Sequence, residues 1–172
     1  GYSLKPNTKI NFFDVVGING ILNSEINDVR DYSSLKRAIS EFSPDIVLHM
    51  AAQPLVRESY LNPVETYQTN VLGTANVLDC CLKCESVKTV INITTDKCYE
   101  NDGRMTGYKE TDPMGGYDPY SSSKGCSELL TRSYYNSFYK KKRKGLCTAR
   151  AGNVIGGGDW SQDRLIPDIL RT

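Results

Sequence analysis

Thr89-Val90-Ile91-Asn92-Ile93-Thr94 is a run rich in β-branched residues, and it predicts a buried strand at the centre of the fold. Long helical patterns stand on either side of it, at Val64–Cys84 and Ser121–Tyr139. Strands separated by helices pair in parallel, so the sequence predicts an α/β fold with a doubly wound parallel sheet and helices on both faces. The other predicted elements are strands at Leu22–Ile26, Ile46–Met50 and Leu146–Ala149, and a helix at Tyr32–Phe42 that Asp31 or Ser33 would cap.

The composition excludes several classes of protein. With 172 residues and a formal net charge of +1, the chain shows no basic surface for nucleic acid or an anionic membrane. No apolar run approaches the ~20 residues of a transmembrane helix. Six cysteines are scattered through regular elements, which indicates reduced thiols in a cytoplasmic protein. Cys81 and Cys84 form a lone C-x-x-C pair with only His49 to assist them, so we interpret them as core residues and predict no metal site.

Small and polar residues follow three of the predicted strands at the point where each strand ends. These residues are Ala51-Ala52-Gln53, Thr94–Lys97 and Ala151-Gly152-Asn153. In parallel sheets ligands bind at the carboxyl ends of the strands. The sequence therefore predicts a ligand site at this edge of the sheet.

The longest irregular stretch, Asp102–Pro119, is rich in Gly, Asp and Pro and leads directly to the second long helix. Loops of this length in compact domains are often lids or binding loops. An ordinary surface loop is the alternative, and the sequence favours neither.

Tyr120 and Lys124, in Tyr120-Ser121-Ser122-Ser123-Lys124, are the strongest candidates for chemistry. Four residues apart on a helix, their side chains emerge on one face. A cation beside a phenol lowers the phenol pKa from about 10 towards neutrality. The resulting base can deprotonate a hydroxyl, as oxidation of an alcohol by hydride transfer requires. This spacing is common on helices, and it gains weight from the hydroxyl, carboxylate and amine groups of Thr94–Lys97.

These residues, together with others in the sequence, resemble the motifs of a known protein family. Tyr120 and Lys124, with Thr95 upstream and Asn70 on the first long helix, resemble the extended short-chain dehydrogenase/reductases that act on nucleotide sugars, the NAD-dependent epimerases and dehydratases. Within that family the chain looks like the CDP-glucose 4,6-dehydratases. The blocks that carry the resemblance are Ala51-Ala52-Gln53, Asn70–Thr74, Thr95–Asn101, Arg150–Val154 and Gly156–Trp160.

The resemblance implies a hydro-lyase reaction with NAD as cofactor. The C4 hydroxyl of the glucosyl ring is oxidised, water leaves across C5 and C6, and the hydride returns to C6. Tyr120 would be the base of the oxidation, Lys124 would hold its pKa down and bond the nicotinamide ribose, and Thr95 would orient the sugar hydroxyl. Asp96 would act as the acid and Lys97 as the base of the elimination, both kept neutral by burial. A simple Asp-Lys ion pair at a strand end is the alternative.

Contacts to cofactor and substrate follow from the resemblance by position. No acidic residue stands at Tyr2-Ser3 to bind a ribose 2′-hydroxyl, and no arginine stands there to select NADP. The choice of NAD is therefore what the family resemblance implies. For Arg57 and Arg164, exposed surface arginines are the alternative. The cofactor contacts implied are Asp28, Val29, Ala51, Ala52, Gln53, Asn70, Thr94, Tyr120 and Lys124. The substrate contacts implied are Asn153, Arg57, Arg164, Leu165 and Pro167.

The resemblance also implies a domain organisation. Residues 1–150 would be a partial NAD-binding, Rossmann-like domain with the catalytic residues, and residues 151–172 the start of the sugar-nucleotide-binding part. Gly1–Leu4 would fall just after the second strand, so we expect an internal fragment without the first βα unit, its glycine-rich turn and most of the substrate domain. We expect these 172 residues alone to bind dinucleotide poorly and to be inactive.

CDP-glucose is the expected small-molecule partner, in deoxysugar synthesis for O-antigen or other surface polysaccharides. The two long helices suggest a homodimer, or a dimer of dimers, by the same resemblance.

Two other functions are possible for this sequence. A nucleotide-sugar epimerase or decarboxylase on the same scaffold is one alternative, and its product separates it from a dehydratase because an epimerase product has lost no water. A non-catalytic dinucleotide-binding protein is the other, although such a protein has no need of a phenolate base.

Overall fold

The computed structural model describes residues 1–171 and contains five strands and eight α-helices. The strands are β1 (Tyr2–Ser3), β2 (Glu25–Ile26), β3 (Ile46–His49), β4 (Thr89–Thr95) and β5 (Gly145–Ala151). The helices are α1 (Phe12–Val15), α2 (Tyr32–Phe42), α3 (Val56–Leu61), α4 (Pro63–Tyr67), α5 (Gly73–Lys83), α6 (Pro119–Tyr134), α7 (Lys140–Lys142) and α8 (Leu165–Arg171). Two π-helical turns, Gln68–Leu72 and Tyr135–Tyr139, and two 3₁₀ turns, Ile18–Gly20 and Asp96–Cys98, complete the regular structure. None of the helices in residues 1–171 is long and apolar enough to cross a membrane.

All strand pairs are parallel, which confirms the predicted α/β fold class. In the sheet β3-β4-β5, Leu48 lies opposite Ile91 and Ile91 lies opposite Cys147. β1 and β2 form a separate two-stranded sheet. The prediction that Gly1–Leu4 follows a strand is wrong, because Tyr2–Ser3 is itself a strand that pairs with β2.

The chain divides into two units. One unit is Val29–Gly152 and contains β3, β4, β5 and helices α2 to α7; the other contains Gly1–Asp28 and the residues from Asn153 onward. The larger unit buries one face of its sheet, where Val90, Asn92 and Thr94 lie beneath α5 and α6. On the opposite face Ile46 and Leu48 are 61% and 55% exposed. Within this unit, helices therefore cover one face of the sheet, whereas the sequence predicted both.

The helix predicted at Val64–Cys84 is interrupted. Pro63 begins α4, where a proline fits because the first turn needs no backbone N–H donor. A π-helical turn, Gln68–Leu72, then separates α4 from α5. π-Helical turns inside helices are rare and often mark functional positions, and this one carries Asn70.

The remaining predicted bounds shift by a few residues. The strand expected at Leu22–Ile26 shortens to Glu25–Ile26. The helix expected at Ser121–Tyr139 begins at Pro119, passes through the π-helical turn Tyr135–Tyr139 and continues directly into α7. The helix Tyr32–Phe42 has the predicted bounds, and the Asp31 side chain caps it by accepting from the backbone N–H of Ser34.

Candidate active site

The first turn of α6 places Tyr120 and Lys124. The Asp118 carboxylate caps the helix by accepting from the Ser121 backbone N–H at 2.9 Å and from the Ser121 hydroxyl at 2.6 Å. Pro119 occupies the first helical position. Tyr120 and Lys124 follow one turn apart on the buried face, 9% and 7% exposed. The helix start is therefore fixed at the residues proposed to carry the redox chemistry.

The ammonium group of Lys124 is buried, and it has little hydrogen bonding within residues 1–171 to replace the water it has lost. Its ammonium donates to the Ile93 carbonyl of β4 at 3.4 Å, a long hydrogen bond. Burial lowers the pKa of Lys124 to about 8, and the carboxylate of Glu128 one turn further along opposes that shift. A lysine in this state can change its protonation near neutral pH.

Glu128 and Arg150 form a buried ion pair that sequence reasoning missed. The Arg150 guanidinium donates to the Glu128 carboxylate at 2.9 Å, and the two side chains are 14% and 4% exposed. Glu128 also accepts hydrogen bonds from the hydroxyls of Thr94 and Thr148. Burial alone would raise the pKa of Glu128, but the hydrogen bonds from Arg150 and Thr94 hold it below its usual value. The one local signal was the four-residue step from Lys124 to Glu128, which puts both on one face of α6.

Asn70 joins three segments below the edge of the sheet. Its side-chain amide donates to the Gln53 carbonyl at 3.1 Å and to the Ser123 hydroxyl at 2.9 Å, and its oxygen accepts from the Gln53 backbone N–H at 2.8 Å. Ser123 in turn donates to the carbonyl of Tyr120 at 2.7 Å. Asn70 is 1% exposed, so this network ties α6 to the loop after β3.

His49 extends this buried network through Thr74. Thr74 donates its hydroxyl proton to the Asn70 carbonyl at 2.7 Å, so it accepts from the ring Nε2–H of His49 at 2.9 Å. Burial, with a smaller contribution from the charge of Lys124, lowers the pKa of His49 to about 4. His49 is therefore a neutral hydrogen-bond donor at physiological pH.

Asp96 and Lys97 stand on a 3₁₀ turn at the carboxyl end of β4, and this turn packs against α6. The Thr95 hydroxyl donates to Asp96 at 3.0 Å and accepts from the Lys97 backbone N–H at 3.3 Å. The Asp96 and Lys97 side chains are 58% and 43% exposed, and the carboxylate lies 3.9 Å from the ammonium. The burial that was expected for these two groups is not found in residues 1–171, where both side chains are half-exposed.

The loop between this turn and α6 closes at its base. Tyr99 forms a bridge with Met114, and the Glu100 backbone N–H donates to the Pro113 carbonyl at 2.9 Å. Gly116 then passes so close to α6 that a Cβ there would lie 2.2 Å from Ser121. The loop is thus anchored next to Tyr120, and whether it acts as a lid stays a prediction.

The other predicted contacts divide between the two units. In the larger unit, Ala51 and Ala52 are half-buried just after β3, Val29 is buried against Gly73, and Arg57 is exposed on α3. The remaining five residues lie in the smaller unit, where Arg164 pairs with Asp159 at 3.3 Å and Pro167 is buried. These five are Asp28, Asn153, Arg164, Leu165 and Pro167.

Comparison with known proteins identifies relatives of the chain. A family model described as GDP-mannose 4,6 dehydratase matches residues 17–157. The CDP-glucose 4,6-dehydratase of Salmonella typhimurium is 53% identical over 100% of this chain and 49% of that relative. A dTDP-glucose 4,6-dehydratase from Streptomyces venezuelae, solved with NAD bound, has a TM-score of 0.77 at 26% identity and covers 92% of this chain and 46% of that one. A Thermus thermophilus UDP-glucose 4-epimerase, solved with NAD, has a TM-score of 0.70 at 29% identity and covers 83% and 45%.

The chain spans about half the length of these relatives. The family model nevertheless covers most of it, and the solved relatives share its parallel α/β architecture. The resemblance to the extended short-chain dehydrogenase/reductases that act on nucleotide sugars is confirmed. The chain belongs to the GDP-mannose 4,6 dehydratase family.

Proposed function

We propose that these residues form the catalytic part of an NAD-dependent CDP-glucose 4,6-dehydratase. Such a hydro-lyase converts CDP-glucose to CDP-4-keto-6-deoxyglucose and water. The observation that carries the proposal is a buried Tyr120–Lys124 pair on a helix that packs against the Asp96–Cys98 turn. The identity of 53% to a CDP-glucose 4,6-dehydratase supports this substrate over other sugar nucleotides.

The hydrogen-bond donors of Lys124 support a nicotinamide nucleotide as the cofactor. Within residues 1–171 its ammonium makes one long hydrogen bond, to Ile93 at 3.4 Å, so N–H donors remain for ribose hydroxyls. When bound, NAD supplies a hydride acceptor that later in the turnover acts as the hydride donor. The residues that would hold it are Val29, Ala51, Ala52, Gln53, Asn70, Thr94, Tyr120 and Lys124. The family resemblance also implies Asp28 as an adenine contact.

Tyr120, Lys124 and Thr95 would carry the oxidation at C4. Tyr120 takes the proton of the C4 hydroxyl, and the Lys124 ammonium favours the phenolate that does so. The Thr95 hydroxyl, whose proton already points to Asp96, can accept a hydrogen bond from the sugar and so orient it.

Asp96 and Lys97 would carry the elimination. The new 4-keto group acidifies the C5 proton, which neutral Lys97 removes, while protonated Asp96 gives its proton to the departing C6 hydroxyl. Both side chains are half-exposed, so the bound sugar must supply the desolvation that favours their neutral forms. After water has left, Lys97 is protonated and Asp96 is a carboxylate.

The contacts to the sugar nucleotide are proposed from the family resemblance by position. In this proposal residues 1–150 are part of an NAD-binding domain and residues 151–172 begin the sugar-nucleotide part. Asn153 would contact the diphosphate, and Leu165 and Pro167 would pack against the base. Arg57 and Arg164 would bind phosphate or sugar oxygens, a role that suits the fork of guanidinium donors.

Exposed apolar side chains support a homodimer. Leu61, Val64, Leu72 and Leu129, on α3, α4, the following π-helical turn and α6, are 58–75% exposed. Large exposed apolar residues clustered on neighbouring helices are typical of association surfaces.

All six cysteines are free thiols, which supports a cytoplasmic location.

The experiment that tests the function offers CDP-, dTDP- and GDP-glucose to the intact protein that contains these residues, with NAD. We expect CDP-glucose to yield a 4-keto-6-deoxy product that has lost one water, identified by mass spectrometry and NMR. An isomer of unchanged mass would instead identify an epimerase. Failure to turn over any sugar nucleotide would favour a non-catalytic dinucleotide-binding protein.

A further inference from the structure

We propose that Arg150 is a positioning residue that couples the two halves of the reaction. It links the helix that carries Tyr120 and Lys124 to the turn that carries Asp96 and Lys97. This inference rests on the proposed dehydratase function and adds to it a residue with no contact to the reacting atoms.

The Arg150 side chain bonds in two directions at once. One guanidinium nitrogen donates to Glu128 of α6 at 2.9 Å, and the other donates to the Tyr99 hydroxyl at 2.7 Å. The guanidinium also lies 4.8 Å from the centre of the Tyr99 ring, a cation–π distance. At 14% exposure of the side chain, these bonds are shielded from water. A planar fork of donors can make both bonds, whereas an ammonium cannot match both geometries.

Glu128 anchors the helix end of this link. Its carboxylate accepts from Thr94 on β4, from Thr148 on β5 and from Arg150. It lies one turn beyond Lys124 on the same face of α6. The position of Lys124 relative to β4 and β5 is therefore set by a buried carboxylate that accepts from three donors.

Tyr99 anchors the other end. It directly follows the Asp96–Cys98 turn and pairs with Met114 across the base of the loop. The Gly115 backbone N–H donates to the Cys98 carbonyl at 3.0 Å, which closes the same base. The turn is thus held by β4 before it and by Tyr99 after it.

This link matters because the elimination pair stands on a turn of only three residues. Asp96 and Lys97 are half-exposed and make a loose ion pair at 3.9 Å. The distance between this pair and the redox pair must suit C4, C5 and C6 of one sugar ring in succession. A shift of about 1 Å at a catalytic group costs about 10²-fold in rate, so release of Tyr99 would impair elimination more than oxidation.

The first test separates the two half-reactions in the intact protein. In Arg150→Met, the rate of initial NADH formation, followed at 340 nm, should stay within about threefold of wild type. The same variant should exchange the C5 hydrogen and form the final product about 10²-fold more slowly. Arg150→Lys, which keeps the charge beside Glu128, should recover part of this loss, and Tyr99→Phe should show a smaller loss of the same kind. Arg104→Met is the matched control, because Arg104 stacks on Tyr108 in the same loop at 4.7 Å but has no bond to Glu128.

A second test needs neither substrate nor cofactor. In Arg150→Met, hydrogen exchange of the Glu100 and Gly115 amides should accelerate by about tenfold or more, while the amides of α6 keep their protection. Equal slowing of both half-reactions, or equal loss of protection in α6 and the loop, would overturn the positioning role. Wild-type protein that forms no NADH and no keto sugar would instead overturn the proposed function, and the coupling with it.

Discussion

The two pairs of residues proposed for the chemistry differ in how the fold holds them. Tyr120 and Lys124 are 9% and 7% exposed and stand on a capped helix tied down by buried hydrogen bonds. Asp96 and Lys97 stand on a three-residue turn with side chains 58% and 43% exposed. The redox pair is therefore fixed by the protein, whereas the elimination pair is left open to solvent.

This difference follows the order of the proposed reaction. In that reaction oxidation at C4 would come first and would benefit from groups already in place, because preorganised groups need no rearrangement as charge develops. Elimination would begin only when a keto sugar is bound, and that sugar would provide the desolvation that Asp96 and Lys97 lack. Substitutions in the two pairs should therefore affect different steps.

Replacement of Tyr120 should have the largest effect on rate. Tyr120→Phe removes the hydroxyl but keeps the ring, so the intact protein should lose about 10³-fold in kcat, with no NADH formed in the first turnover. Tyr117→Phe is the control, because Tyr117 is fully exposed three residues earlier and should retain wild-type rates. NADH formation by Tyr120→Phe at the wild-type rate would remove Tyr120 from the redox step.

Replacement of Lys97 should separate the two pairs. Lys97→Ala should still form NADH on binding substrate but should lose about 10²-fold in exchange of the C5 hydrogen with solvent, measured by deuterium incorporation. Lys88→Ala is the matched control, because Lys88 forms a similar exposed ion pair with Asp45, at 2.7 Å, at the opposite end of β4. Unchanged C5 exchange in Lys97→Ala would show that another group is the base.

The redox pair was predictable from the sequence because its geometry is local. Four residues on a helix place Tyr120 and Lys124 on one face, and the β-branched run predicts β4 beside them. The π-helical turn was not predictable, because Asn70 bonds to Gln53 and Ser123, partners 17 and 53 residues away. No local pattern encodes such pairings.

The same limit explains the other differences between sequence and structure. Glu128 and Arg150 meet across 22 residues, and charged residues in a sequence are usually assigned to the surface. The exposure of Asp96 and Lys97 depends on what lies above the end of β4, which the strand pattern does not record. The sequence thus predicted which side chains could carry the chemistry, but it did not predict their burial or their distant hydrogen-bond partners.

The rigidity of the redox pair can be tested through Asn70. Asn70→Ala leaves the Gln53 backbone groups and the Ser123 hydroxyl without their partner, and buried unsatisfied groups cost about 1–3 kcal/mol. We expect the free energy of unfolding to fall by about 2–3 kcal/mol in urea titrations of the chain. Gln68→Ala, at an exposed position of the same turn, should change it by less than about 0.5 kcal/mol. Equal effects would mean that the network does not hold α6.

The burial of the redox pair can be tested through His49, which is buried near the charge of Lys124. Its pKa is about 4 in the folded chain and 6.5 in its ordinary state. Between these values the unfolded chain binds the proton and the folded chain does not, so stability is fully present above pH 6.5 and falls as the pH drops towards 4. From pH 7 to pH 5 this histidine alone should lower the free energy of unfolding by about 2 kcal/mol.

His49→Gln is the control that isolates this effect, because a glutamine amide can still donate to Thr74 but does not titrate. Carboxylates contribute equally to the acid sensitivity of both proteins, so the difference between the two pH profiles reports His49 alone. The wild-type profile should be steeper between pH 7 and pH 5, and the two should run parallel below pH 4. Parallel profiles throughout would mean that His49 is protonated as easily in the folded chain as in water. The redox pair would then lie in a wetter environment than its 9% and 7% exposure indicates, and the contrast with Asp96 and Lys97 would narrow.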